Sequence, residues 1–489
     1  MKRSTLIRQG VAGLSVLSLL NVLQLAVGLA TNIVLARVLL KEDFGAFAGL
    51  MVFLGLVGTV RVLFGSELVI QKVEGFDRAY DVFFTIDLVF GALLAGTVLL
   101  AAGPVARALG HPDLAPYLRA FSATLVLVPC ATTKLLLDRD VRFARSSLPA
   151  FAGLVVGPAV KISLALSGFG LWSLVVGELA RQAVETILLA ALAPRLPRLA
   201  WDRAVAREIL GFSGPIFLSS LIVYYYGQVD RILVERFLGL DALGLYYMAF
   251  RLPEYLLLLR GNATPVVFSV LARSDPVERT RHFEAITRYT THLVFWVAIP
   301  LFMWAREILV FLFGPEWEPA APAMRVLLAA TALRIVLGYF ADLFKVLGRT
   351  RVFPVLSAVN AVSITILLLL LAPRHGIAGA AFALLGMVAV TSPAVLVLLV
   401  RHAGFSPAAA YLRPAAAGAA GLGIAWGLFR LAGTGPWGTA LGAGGTLLLY
   451  PLLVLAADRV VLREITDLIR TLARGPEVVQ DAVHPTGPP

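Results

Sequence analysis

The sequence holds one cysteine, Cys130, which excludes an intrachain disulfide and a cysteine-based metal site. Its six histidines are scattered, without the spacing of a metal cluster, so neither a metal nor another cofactor is expected. Phosphate-cradling glycine loops and nucleophile elbows are missing as well, and no catalytic constellation stands out, so the chain does not read as an enzyme. Charge is scarce: 15% of the 489 residues are Asp, Glu, Lys or Arg, against 59% hydrophobic. A water-facing exterior needs far more polar surface than that. With a mean hydropathy of +0.86, the chain reads as a polytopic, all-α membrane protein. The net charge of +12 comes with no basic, aromatic-interleaved soluble module, so nucleic acid is not an expected partner.

Long apolar runs are what the chain has instead. A membrane-spanning helix needs about 20 mostly apolar residues. By that measure about fourteen transmembrane helices are expected, at 11–36, 44–66, 82–103, 117–137, 148–167, 170–193, 213–236, 243–271, 289–313, 320–345, 352–372, 376–400, 411–430 and 437–458. The opening MKRSTLIRQG resembles the start of a signal peptide. The apolar run behind it continues to about Ala36 with no A-x-A site, so it reads as an uncleaved first span. GAGG at 442–445 reads as close helix packing, and the polar, Pro-rich end after Arg474 as a disordered cytoplasmic tail.

An even number of spans puts both termini on one side. The loops sharing that side carry Arg139, Arg142 and Arg145; Arg195, Arg198, Arg203 and Arg207; Arg273, Arg279 and Arg281; and Arg349 and Arg351. With the termini they hold about 25 of the 42 Lys and Arg residues, and the opposite loops about 7. This bias follows the positive-inside rule and places both termini in the cytoplasm. None of the loops is long enough for a soluble domain.

The chain also repeats itself. Sliding by 199 positions places Arg37 on Arg236, Glu42 on Asp241, Gly45 on Gly244 and Arg61 on Arg260. Further on, ALGHPDLAPYLRAFSA at 108–123 resembles FGPEWEPAAPAMRVLLAA at 313–330. LLDRDVRF at 136–143 resembles VLGRTRVF at 346–353, and GFGLWSLVVG at 168–177 resembles HGIAGAAFALLG at 375–386. Helices 1–6 therefore map onto helices 7–12 in the same orientation, which predicts a pseudo-two-fold axis along the membrane normal. The expected organisation is an N-terminal bundle at 1–205, a C-terminal bundle at 206–405, two further helices at 406–460 and a tail at 461–489.

Three stretches carry a family resemblance: LARVLLKEDFGAFA, VDRILVERFLGLDALGLYYMAFRL and KVLGRTRVFPVLSAVNAVSITILLLLLAPRHGIAGAAFA. With their fourteen-helix setting they resemble the Wzx-type lipid-linked oligosaccharide flippases of the multidrug/oligosaccharidyl-lipid/polysaccharide exporter superfamily. The likeness covers roughly residues 1 to 400. It departs at Val38-Leu39-Leu40, where the family usually has a glycine before the acidic residue; Gly239 keeps it in the second copy. The resemblance implies two six-helix bundles in a MATE-like V and alternating access. It also implies an undecaprenyl-type lipid carrying a glycan as substrate, for O-antigen, capsule or exopolysaccharide assembly. Expected partners are that lipid-linked oligosaccharide, membrane lipids, and polymerase and chain-length machinery, with a monomer as the functional form.

Charges inside apolar helices are unfavourable by roughly 2.5–3.5 kcal/mol each on insertion scales, so they are the candidates for function. The repeat selects Arg61 and Arg260, at equivalent positions of helices 2 and 8. Guanidinium stays charged and grips phosphate oxygens bidentately, so this pair suits the pyrophosphate of a lipid carrier. The competing reading has each arginine snorkel to the inner headgroups. Arg251 and Glu254, three apart, either neutralise each other or serve a later stage of translocation. Arg334, Arg325 and Lys161 are weaker candidates for the lumen, as is Asp342. Asp230 and Arg231, being adjacent, diverge by about 100° and read as structural or coupling charges. So does the stripe Glu178, Arg181 and Glu185 on helix 6. Tyr224-Tyr225-Tyr226 stack on sugar, line a lateral gate, or pack.

Basic residues dominate inside the spans, which favours an anionic substrate. A cation-coupled drug or metabolite antiporter of the same superfamily would need carboxylates at the site, and Asp230, Glu178 and Asp342 keep that alternative open. A membrane glycosyltransferase or polymerase would be expected to show a larger external loop with acidic residues near it.

Overall fold

The computed structural model describes residues 23–61, 75–108, 110–127, 136–137, 143–433 and 435–457. Residues 11–22 of the first expected span, Cys130, the Arg139 and Arg142 loop and the C-terminal tail lie outside the described residues, as does the side chain of Arg61. The described helices are α1 (Leu23–Ala36), α2 (Lys41–Arg61), α3 (Phe76–Ala108), α4 (Ala115–Leu127) and α5 (Phe143–Leu166). They continue with α6 (Leu171–Leu192), α7 (Arg203–Arg273), α8 (Pro276–Met303), α9 (Ala305–Phe313) and α10 (Ala321–Gly338). The last four are α11 (Phe340–Val346), α12 (Val352–Ala403), α13 (Arg413–Ala432) and α14 (Pro436–Ala457). Among the described residues there is no β-strand.

Eight of these helical stretches are long and apolar enough to cross a membrane, and nine if the bent α8–α9 pair counts as one span. Two of the eight carry more than one crossing. The apolar parts of α7 and α12 run for 54 and 52 residues. Either would measure about 80 Å as a straight rod, against a hydrocarbon core of about 30 Å. Each is interrupted once, at Gly239 (φ 84°) and at Gly376 (φ 61°), in backbone that only glycine enters readily. The expected helices 7 and 8, and 11 and 12, are the arms on either side of these breaks. Against lipid tails, outward-facing Leu100 and Leu448, exposed by 84% and 73%, are ordinary.

Several helices begin before the apolar run does, because the backbone ladder needs caps rather than apolar side chains. Helix α7 starts at Arg203 instead of 213, where Asp202 Oδ1 accepts from Ala204 N at 2.9 Å. Helix α8 starts at Pro276 instead of 289, where Asp275 Oδ1 accepts from Val277 N and Glu278 N at 3.0 and 2.9 Å. The α8–α9 span then bends by 76° next to Trp304.

The duplication recurs in the geometry. Gly170, before α6, has φ 50° and ψ −131°, and its counterpart Gly376 has φ 61° and ψ −145°. Short 3-10 helices at Pro112–Leu114 and Pro315–Ala320 each lead into a helix that opens Ala-Pro-x-x-Arg, at Ala115 and Ala321. Most telling is the crossing of α2 with the second arm of α7. A Cβ added at Gly45 would strike the carbonyl of Leu240, and one added at Gly244 would strike the carbonyl of Lys41. These two clashes are exchanged by the 199-residue offset, which is the reciprocity of a two-fold contact.

By packing, the chain falls into two compact units: one of Met1–Arg251, Leu312–Ala323 and Arg351–Met387, the other of Leu252–Phe311, Met324–Thr350 and Val388–Pro489. Most of these limits fall within helices, so the units divide single spans and do not mark linkers.

Candidate functional site

In the first unit, four charges meet on α5 and α6. Gly153, Gly157 and Gly177 let these helices approach, and the stems of Lys161 and Arg181 lie across the glycines. Lys161 Nζ stands 3.1 Å from Glu178 Oε2. Arg181 donates to Glu178 Oε1 from Nε at 2.9 Å and Nη2 at 2.6 Å, while its Nη1 donates to Glu185 Oε2 at 3.0 Å. Gln182 Nε2 adds a bond to Glu178 Oε1 at 3.3 Å, and the ammonium of Lys161 lies 5.5 Å from the centre of the Phe47 ring. The network closes on itself: two cations and two carboxylates, all partnered.

Asp230 and Arg231 each have their own neighbours. Asp230 is buried and takes a 2.8 Å bond from the Tyr246 hydroxyl across the Gly239 break. Arg231 donates to Gln228 Oε1 at 2.7 Å and sits 5.8 Å from the centre of the Phe250 ring. The Arg251 guanidinium stacks 3.9 Å above the Tyr247 ring, while Glu254 is half-buried one turn later. Of the tyrosine run, Tyr224 packs on Gly55 and donates to the Val52 carbonyl, and Tyr225 shares a 3.0 Å bond with Thr365. Sequence reasoning missed Glu235, which packs against Gly49.

In the second unit, Arg260 has a different setting. Helix α10 stops at Gly338 and α11 begins at Phe340, and at this break the Gly338 carbonyl accepts from Arg260 Nη2 at 2.7 Å. A Cβ at position 338 would overlap the guanidinium, so this glycine makes room for the arginine. Tyr339 turns its ring to the same group, 5.4 Å from the ring centre to Cζ. Asp342, 3% exposed, brings Oδ2 to 4.0 Å from Arg260 Nη2, beyond hydrogen-bond range. Neither that oxygen nor Arg260 Nε has a hydrogen-bond partner among the described residues. Arg260 retains 25% side-chain exposure. Arg334 is half-buried on α10, and Arg325 donates from Nε to the Phe302 carbonyl at 3.2 Å. Gly338 and Tyr339 were not singled out from sequence, although a Gly-Tyr pair one turn before Asp342 marks a helix interruption. Arg61 ends α2, with its backbone helical.

No cluster of three or more metal-ligating side chains occurs among the described residues. The arrangement offers charge-assisted hydrogen bonds inside an apolar helix bundle, which is the chemistry of holding an anion.

Comparison with known proteins follows the same line. The model of a family described as "Polysaccharide biosynthesis protein" matches residues 34–322. The succinoglycan biosynthesis transport protein ExoT of Rhizobium meliloti is 27% identical over 344 residues, 68% of each chain. The lipopolysaccharide biosynthesis protein WzxC of Escherichia coli is 22% identical over 322 residues, 65% of each chain. Among solved structures, the lipid II flippase MurJ in an inward closed conformation superposes with a TM-score of 0.76 at 15% identity, covering 92% of this chain and 99% of its own. An inward-facing multidrug resistance MATE family transporter of the MOP superfamily gives 0.62 at 15% identity, covering 78% and 94%. The fold is that of these multi-pass helical transporters, and with the family model matching well over half of its length, the chain belongs to the polysaccharide biosynthesis protein family.

Proposed function

We propose that the protein is a flippase. It moves an anionic polyprenyl-pyrophosphate-linked oligosaccharide from the inner to the outer leaflet of the bacterial cytoplasmic membrane by alternating access. Family membership and the transporter fold support the class. The observation that carries the substrate's charge is Arg260. Its side chain leaves an apolar helix, keeps 25% exposure, and has one hydrogen-bond acceptor among the described residues, the Gly338 carbonyl on Nη2. Such a group has donors to spare for phosphate oxygens. Arg61 is its equivalent under the repeat, and each arginine carries a guanidinium suited to the pyrophosphate of the lipid carrier. In this reading both termini are cytoplasmic, helices 13 and 14 are additions to the duplicated core, and polymerase and chain-length machinery consume the product.

Complementation is the test. In a strain lacking its own flippase, the double variant Arg61→Ala/Arg260→Ala is expected to abolish polymer output at normal membrane abundance. Undiminished output would sink the proposal.

Coupling to a cation has one observation in its favour, the buried Asp342 with an oxygen outside hydrogen-bond reach of any described residue. The membrane potential alone is a sufficient alternative, since moving one negative charge outward through an inside-negative membrane is downhill by about 2.3 kcal/mol per 100 mV. Transport into proteoliposomes at clamped potential, with and without a cation gradient, separates the two.

A further inference from the structure

The ten residues 193–202, between α6 and α7, form no helix and are bonded to the start of α3. Their inward side is tied down. Arg195 Nη1 bonds Asp81 Oδ1 at 2.9 Å, Nη2 bonds Asp77 Oδ1 at 3.1 Å, and the guanidinium covers the Tyr80 ring at 4.8 Å. Ala200 N donates to Thr85 Oγ1 at 2.9 Å, and Asp202 pairs with Arg78 at 2.6 Å. Behind them, Ala206 and Ile209 join the apolar core built on α3.

The outward side is the opposite. Leu196, Leu199 and Trp201 are exposed by 61%, 71% and 67%. Between and beyond them, Arg198, Arg203 and Arg207 are exposed and have no ion pair among the described residues. Glu208 is the one exposed carboxylate of this stretch. A water-facing linker has no use for three large apolar side chains and three unneutralised arginines interleaved. Tryptophan with basic residues is the composition of a membrane–water interface.

We infer that residues 196–207 form a docking surface for acidic phospholipid headgroups. The leucines and Trp201 enter the headgroup–acyl boundary, and the three arginines meet lipid phosphates. The pinned inner side holds this surface in place against α3, so the contact belongs to the folded protein rather than to a loose loop.

The test uses the full-length protein with Leu199→Cys in a Cys130→Ser background, labelled with bimane. It is reconstituted in vesicles of phosphatidylcholine and phosphatidylglycerol, one or the other brominated. One arginine at an anionic surface supplies roughly a fivefold preference. Quenching is therefore expected to report local phosphatidylglycerol enrichment of at least that size. Replacing Arg198, Arg203 and Arg207 with Gln should bring the two lipids to parity, while replacement with Lys should keep the preference. Equal quenching by both lipids in the parent, no quenching by either, or a preference that survives the Gln substitutions would overturn the inference.

Discussion

On α5 and α6, four charges satisfy one another at 2.6 to 3.1 Å, whereas on α7 and α11 one arginine and one aspartate face each other at 4.0 Å and stay incompletely bonded. The first cluster balances its own charge, two cations against two carboxylates, so a substrate anion would compete there with Glu178 and Glu185. The second has capacity and pays for it in electrostatic stability, because a buried oxygen without a hydrogen bond is unfavourable by about 1–3 kcal/mol. Charge within a membrane span is therefore a poor guide to function by itself. How completely each charge is paired separates the two uses.

The comparison breaks most visibly at Glu178. Changing it to Gln removes the shared carboxylate and leaves Lys161 and Arg181 short of a partner, a loss of about 3 kcal/mol by the rule for broken buried pairs. Thermal unfolding in detergent should show the drop, and an unchanged midpoint would mean the network is ornamental. Adding Lys161→Met to Glu178→Gln should restore much of the loss, since the remaining charges again balance. Next in size is Arg260→Ala, which should leave the midpoint within about 1 kcal/mol while cutting polymer output at least tenfold, the equivalent of about 1.4 kcal/mol in the transport step. If the midpoint falls and output per folded molecule does not, the cluster is structural after all. Gly338→Ala sharpens the point by displacing the guanidinium without altering any charge. An output reduced several-fold, partly recovered by shortening the side chain with Arg260→Lys, is the expected result. The smallest effect belongs to Tyr225→Phe, whose half-exposed hydroxyl bonds Thr365; a change above about 0.5 kcal/mol in stability would contradict its peripheral role.

Much of this was legible from residues alone, and the reasons for the rest are physical. Apolar runs gave the spans because lipid leaves little freedom in what can cross it. They placed the starts of α7 and α8 too late, since Asp202 and Asp275 cap helices that extend into polar sequence. The 199-residue offset singled out Arg260 and Gly244, and both prove to occupy close contacts. What surrounds Arg260 was hidden, because Gly338 and Tyr339 reach it only through the interruption between α10 and α11. Lys161 was read apart from the α6 stripe, and only the close approach at Gly157 and Gly177 brings them together. Asp230 found Tyr246 because the chain turns at Gly239 between them.

The Gly45–Gly244 crossing also has the form of a contact between two copies of one unit. Its two clashes swap under the repeat, so a single six-helix ancestor meeting its own copy would form the same contact twice across a symmetry axis. Fusion of two such genes turns a concentration-dependent homodimer into an intramolecular pairing and frees the halves to diverge. Neither glycine has room for a side chain. A side chain at either one collides with the carbonyl of the other repeat, so both positions hold the crossing only as glycine.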